Sequence, residues 1–136
     1  MIIPEALQHF AEPSLIVVSD HFRAKLLLAF EDSLEEVEAV ELPRAETSDA
    51  EGKAIGQEIS DDARLSRFVR MVAEQINTLI RDEQAAMSLN LVAPADVVNA
   101  IKKELSPEAA TAISKEIHAD VMKEDEVTLL ERIVAA

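Results

Sequence analysis

The chain has no cysteine, which excludes a disulfide framework and any thiolate metal site. It has two glycines in 136 residues, Gly52 and Gly56, too few for a glycine-rich loop that cradles phosphates. No apolar run approaches the roughly 20 residues that cross a bilayer. Met1 to Phe10 contains no lysine or arginine and no apolar core, so no signal peptide is visible. The expectation is a cytoplasmic protein without membrane contact. The histidines, His9, His21 and His118, lack ligand-like spacing, and no Ser-His-Asp arrangement can be placed. No metal and no cofactor is expected.

Positive charge is also scarce. Seven Arg and six Lys face 27 acidic residues, a formal net charge of −14. Between Glu31 and Asp62 there are twelve acidic residues against Arg44 and Lys53, a net of −10, whereas the other 104 residues carry a net of −4. A nucleic-acid partner must avoid that segment, because phosphate attraction supplies most non-specific affinity. A solvated acidic face that aids solubility is the plain alternative.

What the chain does have is a core-forming pattern. At 49% hydrophobic residues, residues 1–136 are enough for one domain with a sizeable core. Ser14-Leu15-Ile16-Val17-Val18-Ser19-Asp20 reads as a strand buried on both faces, at the centre of a sheet. Before it, residues 1–13 form a lead-in with a short helical stretch from Pro4 to Ala11. After it, Asp20-His21 turns the chain into a second strand, His21 to Phe30. There Phe22, Ala24, Leu26, Leu28 and Phe30 alternate with Arg23, Lys25, Leu27 and Ala29. Leu34 to Leu42 is a third strand whose imperfect alternation predicts a bulge or an edge. Turns this short force an antiparallel meander.

Residues 44–58 form an acidic loop expected to be flexible. Ser60 or Asp61 caps a long helix reaching about Arg81, with Leu65, Phe68, Val69, Val72, Ile76, Leu79 and Ile80 on its apolar stripe. Met87 to Ala93 is a fourth strand, and Pro94 opens a helix carrying Val97, Val98, Ile101 and Leu105. Ser106-Pro107-Glu108 starts a short helical turn. The segment after it reads two ways: Ile113, Ile117 and Val121 fit a helix, or a strand sharing one face with Lys115 and Ala119. A strand over Ala112 to His118 is the expectation. Asp125 caps a last helix burying Val127, Leu130, Ile133 and Val134. The predicted order is β-β-β-α-β-α-β-α, an α/β fold of the ribonuclease-H-like kind. Its mixed five-stranded sheet has order 3-2-1-4-5 and is flanked by helices.

At this point a family likeness emerges. Leu15-Ile16-Val17-Val18-Ser19-Asp20-His21-Phe22-Arg23-Ala24-Lys25-Leu26-Leu27 resembles the opening of bacterial proteins required for attachment to host cells. Met87 to Pro94 resembles their apolar strand ending in Ala-Pro. Leu105-Ser106-Pro107-Glu108 followed by Ile117-His118-Ala119-Asp120 resembles their ending, which favours the strand reading there. The likeness covers about residues 14 to 134. That family is in turn similar to the middle domain of archaeal and eukaryotic peptide-chain release factors and of Pelota. In release factors a Gly-Gly-Gln loop before the long helix promotes peptidyl-tRNA hydrolysis. The resemblance implies a partner in translation, the ribosome or a tRNA.

The candidate chemistry is thin. Ile55-Gly56-Gln57 stands before the long helix, but Ile55 replaces the first glycine. A β-branched residue blocks the positive-φ geometry that such a loop uses. Glu46, Asp49, Glu51 and Glu58 add negative charge around it. A Gly-Gln in a linker is the competing reading, and an enzyme is not the expectation. Two-metal nuclease chemistry needs converging carboxylates about 4 Å apart. Asp20 ends the central strand, but the fourth strand ends in Val92-Ala93-Pro94, and Asp96 falls inside the next helix. Asp20 is therefore expected to accept from backbone amides in its own turn, with His21 as a turn residue or its polar partner.

One basic feature remains: Arg64, Arg67 and Arg70, on a broad solvent-side strip of the long helix. They either pair with Asp61, Asp62 and Glu74 or contact phosphate. The competing reading is a regulatory module that binds a protein through Glu36, Glu38 and Glu41 of the acidic third strand, without nucleic acid.

Overall fold

The computed structural model describes residues 1–42, 61–82 and 87–136. Residues 43–60, which include Gly56 and Gln57, lie outside them. The strands are β1 (Ser14–Ser19), β2 (Arg23–Phe30), β3 (Ser33–Glu41), β4 (Ser88–Ala93) and β5 (Ile113–His118). The helices are α1 (Asp61–Asp82), α2 (Ala95–Glu104), α3 (Pro107–Thr111) and α4 (Glu126–Ala135). Sheet order is β3-β2-β1-β4-β5. The first three strands are antiparallel, and β4 and β5 run parallel to β1. This is the mixed α/β order that hydrophobic periodicity implies.

All six residues of β1 are buried, because it has neighbours on both edges and helices over both faces. Leu15 and Val17 face α1 and α2, together with Leu26, Leu89 and Leu91 from neighbouring strands and Phe68, Val72, Ile76 and Ile101 from the helices. Ile16 and Val18 face the other way, with Leu27, Val92, Leu130 and Ile133. The sheet thus separates two apolar layers. Asn77 locks the first layer: its carboxamide accepts from the Ser106 N–H (2.9 Å) and donates to the Glu104 carbonyl (3.4 Å).

Caps fall where side chains allow them. The Ser106 hydroxyl accepts from the Ala109 N–H of α3, and the Asp125 carboxylate accepts from the Thr128 N–H of α4. Each satisfies an amide left over at a helix start. That bond, stronger to the ionised acid than to the neutral one, also holds the Asp125 carboxyl below the usual carboxylate range.

Several local expectations need correction. Residues 4–11 hold only a 3-10 turn, Glu5–Leu7. Instead of leading in as a helix, the start of the chain lies against β3: the Ile3 N–H bonds the Asp32 carbonyl, and Ile3 and Phe10 are buried in the second layer. Phe22 is not part of the apolar face of β2. It is 57% exposed, because the turn begun by Asp20 consumes residues 21 and 22. The hairpin from β2 to β3 closes on Glu31 and Asp32, with Glu31 in the left-handed region at φ 57°.

Both edges carry an irregularity. In β3 the partners step from Leu26↔Glu38 to Leu27↔Glu36, so Val37 is an extra residue. In β5 the step is from Leu89↔Ile113 to Asn90↔Lys115, so Ser114 is extra. The first bulge matches the broken alternation of the sequence. The second corrects the idea that Ile113 and Ile117 share a face: Ile113 packs against the first layer and Ile117 against the second.

Candidate functional site

Asp20 closes β1 with an Asx turn. Its Oδ1 accepts from the backbone N–H groups of Phe22 and Arg23, both at 2.7 Å. Beneath it the buried Ser19 hydroxyl donates to the carbonyls of Asp20 and Arg23 (2.7 and 3.2 Å). Asp20 is therefore occupied in holding its turn, as a short acceptor side chain at such a position does.

His21 does not pair with Asp20. Its Nε2 lies 2.9 Å from Asp96 Oδ2, a contact across 75 residues. Asp96 is indeed inside α2, but in its first turn, and that turn starts at the same end of the sheet where β1 ends. The pair ties the β1–β2 turn to α2. The hydrogen bond from His21 is the main reason the Asp96 carboxyl sits below the usual carboxylate range, with the Val97 N–H assisting. Both side chains are well exposed, 42% and 61%, so the link is weak in energy. Sequence spacing held no signal for it.

A lowered folded pKa means that the contribution of Asp96 is present above its unfolded value and lost as pH falls through the folded one. His21→Ala is expected to move the Asp96 midpoint upward, toward the ordinary range, with little change in overall melting temperature. Side-chain carboxyl NMR titration checks this, and an unmoved midpoint would mean that His21 is not the cause.

Near that end of the sheet, Glu116 of β5 meets Lys102 of α2 at 2.8 Å, and His118 lies 3.8 Å from Glu116. Among the described residues no group of three or more His, Asp or Glu is placed to hold a metal ion.

On the outer side of α1, Arg67 and Arg70 are exposed and Arg64 is half-buried. Steps of three residues rotate by about −60° on a helix of 3.6 residues per turn, so the three span about 120°. Arg64 falls on the flank of the apolar stripe rather than at its far side. None of the three forms an ion pair with a described residue. Glu74, one turn beyond Arg70, does not neutralise it.

Glu36, Glu38 and Glu41 are all exposed on the edge strand β3. The bulge at Val37 divides them. Glu38 pairs with Leu26 and shares its face, whereas Glu36 pairs with Leu27 and Glu41 with Arg23, on the opposite face. The three carboxylates line an edge rather than one flat surface. Carboxylates along an edge also discourage pairing with another strand.

Among the described residues, no helix is long and apolar enough to cross a membrane. No match to a curated protein was found by sequence. Solved structures are similar in fold. One is a protein of archaeal origin, at 14% identity and TM-score 0.58, covering 91% of this chain and 37% of that one. Another is the archaeal translation termination factor aRF1, at 12% identity and TM-score 0.58, covering 90% of this chain and 38% of that one. A third is the S. cerevisiae translation termination-like factor Dom34, at 10% identity and TM-score 0.49, covering 88% and 35%. The chain spans less than two-fifths of the length of each. The family model described as protein required for attachment to host cells matches residues 15–133, and the chain belongs to that family.

Proposed function

We propose that this protein is a non-catalytic binding module that contacts RNA of the translation machinery, ribosome or tRNA, through Arg64, Arg67 and Arg70. The observation that carries the reading is the outer face and flank of α1, where three guanidinium groups in an otherwise acidic protein pair with no described carboxylate. Arginines without a described ionic partner within 7 residues of helix fit a phosphate-bearing partner, since guanidinium matches phosphate geometry with two parallel bonds. The fold shared with the archaeal termination factor supports the same direction by analogy.

The acidic edge is not remote from α1, which packs partly against β3 and shares an apolar layer with Val40. β3, with Glu36, Glu38 and Glu41, is the outermost strand of the meander. A polyanion approaching α1 is repelled by these groups mainly within a Debye length, about 8 Å at physiological salt. Co-sedimentation of the purified protein with ribosomes, repeated across a salt series, tests the reading. Binding that weakens steeply with salt is expected, and absence of binding at low salt would reject it.

No hydrolytic step is assigned. Ile55 precedes Gly56 and Gln57, and its branched Cβ disfavours the positive φ that lets a loop backbone approach an ester closely. Neither wild type nor Gln57→Ala is expected to release peptide from peptidyl-tRNA, and the two should bind ribosomes equally. Hydrolysis by wild type that vanishes in Gln57→Ala would overturn the non-catalytic assignment.

A further inference from the structure

We propose that a polar cavity on the α4 side of the sheet, on the face away from α1, is a binding site for a phosphate group. The cavity has a volume of about 120 Å³, roughly four water volumes. Strand register builds it. Ser14 of β1 lies beside Ser88 of β4, and two residues on, Asn90 lies between Ile16 and Lys115 of β5. Ser14, Ser88, Asn90 and Lys115 all line the cavity, with Phe10 and His9 at its side.

The polar groups there are unusually placed. Asn90 is 3% exposed in a strand otherwise filled by Leu89, Leu91 and Val92. Its carboxamide carries two N–H donors and an acceptor oxygen, and none of these has a hydrogen-bond partner among the described residues. Buried polar side chains are seldom left so. The Lys115 ammonium spends one N–H on the Ile133 carbonyl at 2.7 Å and pairs with no described carboxylate. The Ser14 and Ser88 hydroxyls lie 2.8 Å apart, and Ser14 also reaches the Glu12 carbonyl at 3.4 Å.

The hollow therefore offers one positive charge that no described carboxylate neutralises, several donors and one strong acceptor. Water alone would serve the amide but leave the ammonium with only the Ile133 carbonyl at the end of α4 as a negative partner. A phosphate serves both. Its oxygens accept from Lys115, from the Asn90 amide and from a serine hydroxyl. Its own P–O–H, retained in one or two copies near neutral pH, donates to the Asn90 oxygen. Sulfate carries the same shape without that proton, so the acceptor oxygen of Asn90 discriminates against it. Loss of a needed hydrogen bond in a buried site is what produces selectivity of this kind.

The test uses the full chain and inorganic phosphate at fixed ionic strength, read by isothermal titration calorimetry and ³¹P line broadening, with sodium sulfate as the control. Saturable phosphate binding is expected, with sulfate at least about tenfold weaker. Lys115→Met and Asn90→Leu should each weaken phosphate binding by about tenfold or more. Thermal melts report folding of both variants. If Asn90→Leu does not fold, Lys115→Met, at a half-buried position, carries the test. Methyl phosphate binding as well as phosphate would indicate a terminal phosphate on a larger molecule, and its exclusion would indicate the free ion. Lack of saturable binding at millimolar phosphate would overturn the site. So would equal binding by sulfate, or by the folded Lys115→Met variant.

Discussion

Val17→Asp is expected to abolish cooperative folding. Val17 is 1% exposed in the middle strand of the sheet, paired to Leu26 on one side and Leu91 on the other. Its side chain points into the layer formed with Phe68, Val72 and Ile76. A carboxylate there would have no partner, so it would take up a proton instead. Holding an aspartic acid neutral at pH 7, against an ordinary value near 3.9, costs about 4 kcal/mol. Losing the buried isopropyl group adds about 2 kcal/mol. The sum of about 6 kcal/mol is comparable to the whole stability of many domains, about 5–15 kcal/mol. Val17→Ala, which loses only apolar burial and leaves a small cavity, should cost about 2 kcal/mol and remain folded. Circular-dichroism melts of both variants check the pair. A wild-type-like melt for Val17→Asp would contradict the central position of β1.

The second large effect concerns RNA. Replacing Arg64, Arg67 and Arg70 together with Gln keeps side-chain length and helix propensity, so the melt should hardly change. Each phosphate contact contributes about 0.7 to 0.9 to the slope of log affinity against log salt. Losing three should lower that slope by about 2 to 3, and affinity should fall for every RNA alike. Arg67 and Arg70, exposed, should account for most of the loss. Arg64, half-buried, has less freedom to reach a phosphate. Ribosome binding unchanged in the triple variant would remove the arginine strip as the contact. If Glu36→Gln, Glu38→Gln and Glu41→Gln together abolished binding instead, the partner would be a protein held by the acidic edge.

These two variants probe different levels of organisation. Val17 acts through the packing of the sheet, and its role follows from a run of apolar residues with no polar alternation. The proposed role of the arginines rests on their lack of a described ionic partner, which depends on how a helix face meets its surroundings. Glu74 stands at the right spacing to neutralise Arg70, yet no pair forms between them. Spacing makes a salt bridge available, but long exposed side chains gain little by holding it.

The sequence by itself determined the five strands, the main helices, their order and the caps at Ser106 and Asp125. Alternation over four to nine residues, a stripe repeating at 3.6, and Ser106 and Asp125 standing just before their helices are local signals. Each can be read without knowing what packs against it. Turns of two or three residues then leave no topology for β1, β2 and β3 except a meander. Asp20, followed by two backbone amides within reach, likewise declared its turn. Only the tertiary structure decided what depends on register between distant segments. The bulges at Val37 and Ser114 reverse the faces of Glu36 relative to Glu38 and of Ile113 relative to Ile117. One added residue in a period of two does that, and nothing local marks where it is accommodated. The meeting of His21 with Asp96, and of Asn90 with Lys115, required parallel strands to be brought side by side by the helices between them. Their chemistry belongs to neighbours that the chain order does not supply.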